Sequence, residues 1–291
     1  MAGLAAAARL AVRAAVVCTV LAVVAPALMA AASGGGSTAA ASAPAPGYTA
    51  LVVFGDSLSD NGNAGRYSDG PVWVEVLAQH LGVGLLPSRS GGSNYAVGGA
   101  LTHGRPIDVR GQIARHLTGR SGGADAGALY IVFAGANDLL SGGCVAARDA
   151  AARTAAAALG ASVNDLAAAG ARHVLVPNLP DIGHAPVVRV QGAACAAEAG
   201  RLTRVFNAAL EERLRQVEAR HGIDVRRLDT HDLAERLMAD PASAGFHDVD
   251  TPCLRAACDG LLFWDYLHPT TAAHAALAGA ALEALRSGGR Q

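Results

Sequence analysis

Short apolar runs recur along this chain, and longer stretches with helical spacing separate them. The pattern predicts strands at residues 50–54, 128–133 and 173–176, and a weaker strand at 223–225. It predicts helices at residues 72–81, 109–117, 146–169, 195–221 and 271–285. Because the strands are continuously apolar and alternate with helices, the pattern indicates an α/β fold in which helices cover both faces of a mostly parallel sheet.

Polar residues follow three of these predicted strands. They are Gly-Asp-Ser at 55–57, Gly-Ala-Asn-Asp at 135–138 and Pro-Asn-Leu-Pro-Asp at 177–181. In an open parallel sheet, ligands bind outside the carboxyl ends of the strands. The sequence therefore predicts a functional site at that edge of the sheet.

The N-terminal 46 residues differ in composition from the rest of the chain. Two arginines, a short apolar core and an alanine-rich cleavage region in residues 1–32 indicate a secretory signal peptide. A membrane anchor is the alternative, but the apolar core is short for the ~20 residues that a span needs. Residues 33–46 form a low-complexity leader, and we expect a single domain at 47–291 that is secreted or periplasmic and has no integral membrane segment.

Charge and cysteine content limit the binding partners and the catalytic chemistry that we expect of this chain. The formal net charge is −1, which gives no indication of nucleic-acid binding, and all 23 Lys-or-Arg positions are arginine. The absence of lysine excludes Schiff-base chemistry, a Ser–Lys dyad and a P-loop lysine. Four cysteines follow the signal peptide, and we favour the disulfides Cys253–Cys258 and Cys144–Cys195 among three possible connectivities. No metal-ligand spacing accompanies them, so we expect no metal and no cofactor.

Two serines are candidates for a nucleophile. The hydrolase elbow pattern G-x-S-x-G occurs around Ser121, but it follows a predicted helix and precedes a strand, whereas an elbow needs a strand, a turn and then a helix. Ser57 does follow a strand. Its local pattern fits a turn-capping serine as well as a nucleophile.

The pattern D-x-x-H, which could supply an orienting acid and a base, occurs twice. One pair is Asp181 and His184, and the other is Asp265 and His268. Pro269 and a predicted helix follow the second pair, which modestly favours His268 as a positioned base. The residues alone leave the choice open.

Four blocks in fixed order carry a resemblance to a known family. Phe-Gly-Asp-Ser-Leu at 54–58, Asn-Tyr-Ala-Val-Gly-Gly-Ala at 94–100, Gly-Ala-Asn-Asp at 135–138 and Asp-Tyr-Leu-His-Pro-Thr at 265–270 resemble the blocks of the GDSL, or SGNH, hydrolases. The resemblance spans residues 51 to about 285. It implies a three-layer α/β/α sandwich of the flavodoxin-like SGNH type.

The same resemblance implies roles for individual residues. Ser57 would attack an ester carbonyl, His268 would act as base and acid, and Asp265 would orient the imidazole. The backbone N–H groups of Ser57 and Gly99 and the side-chain amide of Asn137 would form the oxyanion hole, although Gly98 is an adjacent candidate. Asp56, Asp60 and Asp138 are interpreted as structural, and Asp181 and His184 as residues that shape the substrate cleft.

The function expected from this resemblance is secreted hydrolysis of small-molecule or lipid carboxylic esters through an acyl-enzyme, without a cofactor. Acyl transfer or carbohydrate O-deacetylation at the same site is the alternative, because a fold family fixes chemistry better than substrate. A non-catalytic binding protein is the remaining alternative, and the presence of Ser57, Asn137, Asp265 and His268 argues against it.

Overall fold

A parallel sheet forms the centre of the computed structural model, which describes residues 47–144, 147–254 and 257–287. Its strands lie in the order β1-β2-β3-β4 and are all parallel. They are β1 (Leu51–Gly55), β2 (Leu129–Phe133), β3 (His173–Pro177) and β4 (Asp224–Leu228). The predicted signal peptide and leader lie outside the described residues.

An extended segment at 93–97 runs along the outer edge of β1. The Tyr95 N–H donates to the Val53 carbonyl at 2.7 Å, and the Val97 N–H donates to the Gly55 carbonyl at 3.1 Å. This pairing carries the second family block to the carboxyl end of β1.

Helices pack on both faces of the sheet and form the outer layers of an α/β/α sandwich. One group of mutually packed helices contains α2, α4 and α6, and another contains α1 and α8. The helices are α1 (Trp73–Leu81), α2 (Val109–Leu117), α3 (Ala136–Leu140), α4 (Asp149–Ala168), α5 (Pro186–Arg189), α6 (Ala193–His221), α7 (Thr230–Ala239) and α8 (Thr271–Ser287). The predicted α/β fold is confirmed, and the predicted helix at 109–117 has the observed bounds.

The core lies between the sheet and these helices. Every residue of β1 and β2 is buried, as the continuous apolar pattern predicts for strands covered on both faces. Trp73 at the start of α1 packs edge-on against Phe133, with ring centroids 6.1 Å apart. Burial of each large apolar side chain stabilises the fold by about 1.5–3 kcal/mol.

Several short elements were not predicted from the pattern. They are α3, α5, α7 and a two-stranded parallel pair formed by β5 (Asp248–Pro252) and β6 (Leu261–Phe263). Helix α7 has ten residues, half of them polar, and the pattern did not predict it although Leu233 and Leu237 are spaced as on one apolar helix face. Its start signal is nevertheless present, because the Asp229 side chain accepts a hydrogen bond from the Asp232 N–H at 3.0 Å.

The four cysteines are paired as Cys144–Cys195 and Cys253–Cys258, the connectivity that we favoured. The first bridge joins the segment after α3 to the beginning of α6, and the second closes a loop between β5 and β6. Among the described residues, no helix combines the length and apolarity that a membrane crossing requires.

Candidate active site

Ser57 lies in a tight turn directly after β1. Gly55 ends the strand in close contact with β2, since a Cβ at this position would lie 2.4 Å from the Phe133 carbonyl oxygen. The turn is closed by the Asp56 carbonyl, which accepts hydrogen bonds from the N–H groups of Ser59 and Asp60 at 3.1 and 3.0 Å. Ser57 is therefore held on a rigid turn at the carboxyl end of the sheet and is 6% exposed.

His268 joins Ser57 to Asp265 through two hydrogen bonds. Its Nε2 lies 2.8 Å from the Ser57 Oγ, and its Nδ1 lies 2.8 Å from the Asp265 Oδ2. The other oxygen of Asp265 accepts hydrogen bonds from the N–H groups of Leu267 and His268 at 2.7 and 2.6 Å. The carboxylate and the imidazole are thus fixed on one short loop between β6 and α8, in an arrangement that could activate the hydroxyl of Ser57.

Two carboxyl groups near Ser57 have pKa values shifted in opposite directions. Burial alone would raise the pKa of Asp265, but hydrogen bonds from His268 and Leu267 outweigh it and hold that pKa below its usual value. Asp56 is fully buried, and desolvation raises its pKa to about 6. Asp56 also accepts a hydrogen bond from the Leu58 N–H at 3.1 Å, in keeping with a role in bracing the turn.

The candidate oxyanion donors come from the turn after β1, the loop that contains Gly99 and helix α3. Within the described part of the chain, no acceptor takes the backbone N–H of Ser57 or Gly99. The Gly98 N–H is instead bonded to the buried Asp60 carboxylate at 2.9 Å, which favours Gly99 over Gly98 as a donor. The Asn137 amide reaches the same loop and donates to the Ala100 carbonyl at 3.0 Å.

Asp60 and Asp138 hold the loops that carry these donors. Asp60 is completely buried and also accepts hydrogen bonds from the N–H groups of Asn63 and Ala64. Asp138 accepts hydrogen bonds from the Thr102 N–H at 3.0 Å and the Thr102 hydroxyl at 2.9 Å. These contacts agree with the structural interpretation of both carboxylates.

Tyr67 covers the imidazole of His268 and was not identified from the sequence. The two ring centroids are 5.0 Å apart, with an interplanar angle of 36°. The Tyr67 ring also packs on Gly98, where a Cβ would lie 2.1 Å from the Tyr67 hydroxyl oxygen. A tyrosine in a polar loop gives no periodic signal, so only the three-dimensional structure brings it to the site.

An apolar cleft of about 170 Å³ opens beside Ser57 and His268. We term this cavity the acyl cleft. Its apolar lining comes largely from elements that the sequence pattern did not predict. The lining includes Leu58, Phe133, Leu140, Ile182, Leu233, Leu237, Met238, Leu262, Phe263, Leu267 and Leu277. The spacing of Leu233 and Leu237, four residues apart on α7, is the sequence signal that could have predicted the part of the lining that α7 supplies.

The competing motifs lie in other environments. Asp181 and His184 both line the acyl cleft, but His184 Nε2 lies 2.9 Å from the Glu235 Oε1. Asp181 instead accepts a hydrogen bond from the Gly183 N–H at 2.7 Å. Ser121 is exposed in the connection between α2 and β2, outside the strand–turn–helix context that an elbow requires.

Comparisons with known proteins identify the family of this chain. A family model described as "GDSL-like Lipase/Acylhydrolase" matches residues 51–281. Lipase 1 from Photorhabdus luminescens is 36% identical over 165 residues, covering 48% of this chain and 24% of that protein. Phosphatidylcholine-sterol acyltransferase from Aeromonas hydrophila is 25% identical over 302 residues, covering 80% of this chain and 88% of that protein.

A comparison with solved structures shows the same fold. The crystal structure of a lipolytic G-D-S-L family member from Veillonella parvula matches with a TM-score of 0.50 and 18% identity, covering 80% of this chain and 96% of that one. The chain spans less than half the length of several curated relatives that it matches.

Proposed function

Because this chain belongs to the GDSL-like lipase/acylhydrolase family, we propose that it is a serine ester hydrolase that cleaves carboxylic esters through an acyl-enzyme on Ser57. The observation that carries the proposal is the continuous hydrogen-bonded series Asp265–His268–Ser57 at the mouth of the acyl cleft. Residue roles and substrate are both part of the proposal.

The proposed reaction proceeds in two steps. His268 Nε2 takes the Ser57 proton as Oγ attacks the ester carbonyl, and the imidazolium then gives that proton to the departing alcohol. Water, activated by the same imidazole, releases the acid from Ser57. Asp265 keeps Nε2 free to accept by holding the proton on Nδ1.

The negative oxygen that forms during each step needs hydrogen-bond donors. The N–H groups of Ser57 and Gly99 and the Asn137 amide would supply them. The positive φ of 76° at Gly99 is a conformation that glycine adopts without strain, so the loop can present this N–H at little cost. The Asn137 amide would exchange its bond to Ala100 for one to the oxyanion.

The lining of the acyl cleft favours esters with an apolar acyl group of short to medium length. Each methylene that enters such a cleft gains about 0.8 kcal/mol by leaving water. Hydrolysis of a lipid ester is consistent with the same lining. The predicted signal peptide and two disulfides support action outside the cytoplasm.

Acyl transfer is the second candidate function. The relative from Aeromonas hydrophila, named as an acyltransferase, aligns over most of its own length with this chain. An alcohol would then replace water in the second step. The product ratio in the presence of an added alcohol separates the two functions.

The test compares the mature protein with Ser57→Ala on p-nitrophenyl esters of increasing acyl length, with and without an added alcohol. We expect Ser57→Ala to lose essentially all turnover, by a factor of about 10⁶, while Ser121→Ala, the matched control at the exposed serine, keeps the wild-type rate. Equal loss in both variants, or none in Ser57→Ala, would contradict the assignment. Free acid as the main product supports hydrolysis, and alkyl ester as the main product supports transfer.

A further inference from the structure

Three potential metal ligands lie close together beside the acyl cleft, and one of them, Asp181, lines it. Asp181, His231 and Glu235 each offer a donor atom, and these three atoms lie within 4.8 Å of one another. His231 and Glu235 are four residues apart on α7 and share one face of that helix. Asp181 lies on the loop after β3.

The imidazole of His231 supplies an independent observation. Its Nε2 is shielded from solvent and, among the described residues, has no hydrogen-bond partner. A buried polar atom without a partner costs about 1–3 kcal/mol. The Nε2 lone pair or N–H would be satisfied by a ligand at this position.

The surrounding charges favour a cation over an anion. Two of the three residues, Asp181 and Glu235, are carboxylates, and the Glu235 Oε1 accepts a hydrogen bond from the His184 Nε2 at 2.9 Å. Arg204 is the nearby positive charge, with its Nη1 3.9 Å from the Asp181 Oδ2. That arginine is 60% exposed, so solvent screens most of its effect.

We propose that Asp181, His231 and Glu235 bind one divalent transition-metal ion of the Zn²⁺ class. A mixture of one imidazole and two carboxylates is typical of such ions, whereas Ca²⁺ and Mg²⁺ prefer sites built from oxygen alone. His184 would orient the Glu235 carboxylate from outside the coordination sphere, as hydrogen-bonded groups around metal ligands do.

The ion would act as a structural link and not as a participant in ester cleavage. It would join α7 to the loop after β3, and both segments line the acyl cleft through residues such as Leu233 and Ile182. Metal binding would therefore fix the spacing of the cleft walls. The inference rests on the geometry of the cluster and stands whether or not Ser57 is the nucleophile.

The test is calorimetric titration of ZnCl₂ into the full-length mature protein after treatment with EDTA. We expect one ion per chain and a rise in thermal unfolding temperature, because a ligand that binds only the folded state stabilises it. His231→Gln and Glu235→Gln should weaken binding by at least about tenfold, as expected for loss of a ligand. His80→Gln, at an exposed histidine on α1, should leave binding unchanged.

Two results would overturn the proposal. One is the absence of saturable binding in the wild-type protein. The other is binding that His231→Gln and Glu235→Gln retain at wild-type strength, which would place the ion elsewhere. Because the readouts are heat and unfolding temperature, they are distinguishable from any failure of the proposed esterase activity.

Discussion

The two D-x-x-H sequences have the same spacing but different surroundings. Asp265 and His268 lie on a short loop that ends against Ser57, and both nitrogens of the imidazole are engaged. Asp181 and His184 lie on a 3₁₀ turn after β3, where the histidine contacts Glu235 and the aspartate caps its own turn. The D-x-x-H spacing lets an aspartate lie near a histidine in both cases. The residue that the histidine contacts next, Ser57 or Glu235, determines whether the pair can activate a hydroxyl group.

That partner lies far away in the sequence. Ser57 and His268 are separated by 211 residues, and they meet because β1 and the β6–α8 loop reach the same edge of the sheet. Local spacing carries no information about this contact. The comparison therefore predicts that equal substitutions in the two motifs have unequal effects.

The largest difference is expected between His268→Ala and His184→Ala. Removing the base should lower kcat/KM by about 10⁵–10⁶-fold, because Ser57 then has no group to take its proton. Removing His184 takes one polar side chain from the cleft lining and breaks an exposed pair with Glu235, but it leaves the bonds among Asp265, His268 and Ser57 intact, so kcat/KM should change by less than about threefold. Rates on a p-nitrophenyl ester, with folding checked by circular dichroism, provide the measurement. Comparable losses in the two variants would mean that the two motifs share the catalytic work.

A smaller difference is expected between Asp265→Asn and Asp181→Asn. An amide at 265 can no longer hold the His268 tautomer, and kcat should fall by about 10⁴-fold. An amide at 181 can still accept the hydrogen bond from the Gly183 N–H, so kcat should stay near the wild-type value. The informative measurement is kcat at saturating ester. A wild-type kcat for Asp265→Asn would remove the acid from the proposed mechanism.

The smallest effect concerns stability and pH. The folded pKa of Asp265 lies below its usual value, so its ionised form stabilises the protein above an unfolded pKa of about 3.9. That contribution is lost as pH falls through the folded pKa. Wild type should therefore be more stable than Asp265→Asn at pH 6, and the gap should close below about pH 4.

Thermal unfolding of both proteins between pH 2.5 and 7 checks this expectation. A gap in unfolding temperature that stays constant over the whole range would show that the variant loses packing and not a charge-dependent interaction.

The layered fold was predictable because its signals are local. Continuous apolar runs correspond to β1, β2 and β3, and the helix at 109–117 has the predicted bounds. Helix α7 was missed although its leucines have helical spacing, because the stretch is short and half of its residues are polar. Its two leucines line the acyl cleft only because α7 packs beside the loop after β3, and the sequence does not reveal that contact.

The candidate site was only partly predictable. Family blocks pointed to Ser57, Gly99, Asn137, Asp265 and His268, whose roles remain proposals. Residues outside the blocks, such as Tyr67 and His231, gave no signal, because their interactions involve segments distant in sequence. Side-chain contacts across such distances depend on packing that a linear pattern does not contain.

The contact between Tyr67 and Gly98 limits how this protein can evolve. Any side chain at 98 would occupy the space of the Tyr67 ring, and the ring could then no longer cover His268. A larger residue at 98 is therefore compatible only with a smaller one at 67. A variant that changed only one of the two positions would either lose the cover over the imidazole or displace the loop that carries Gly99.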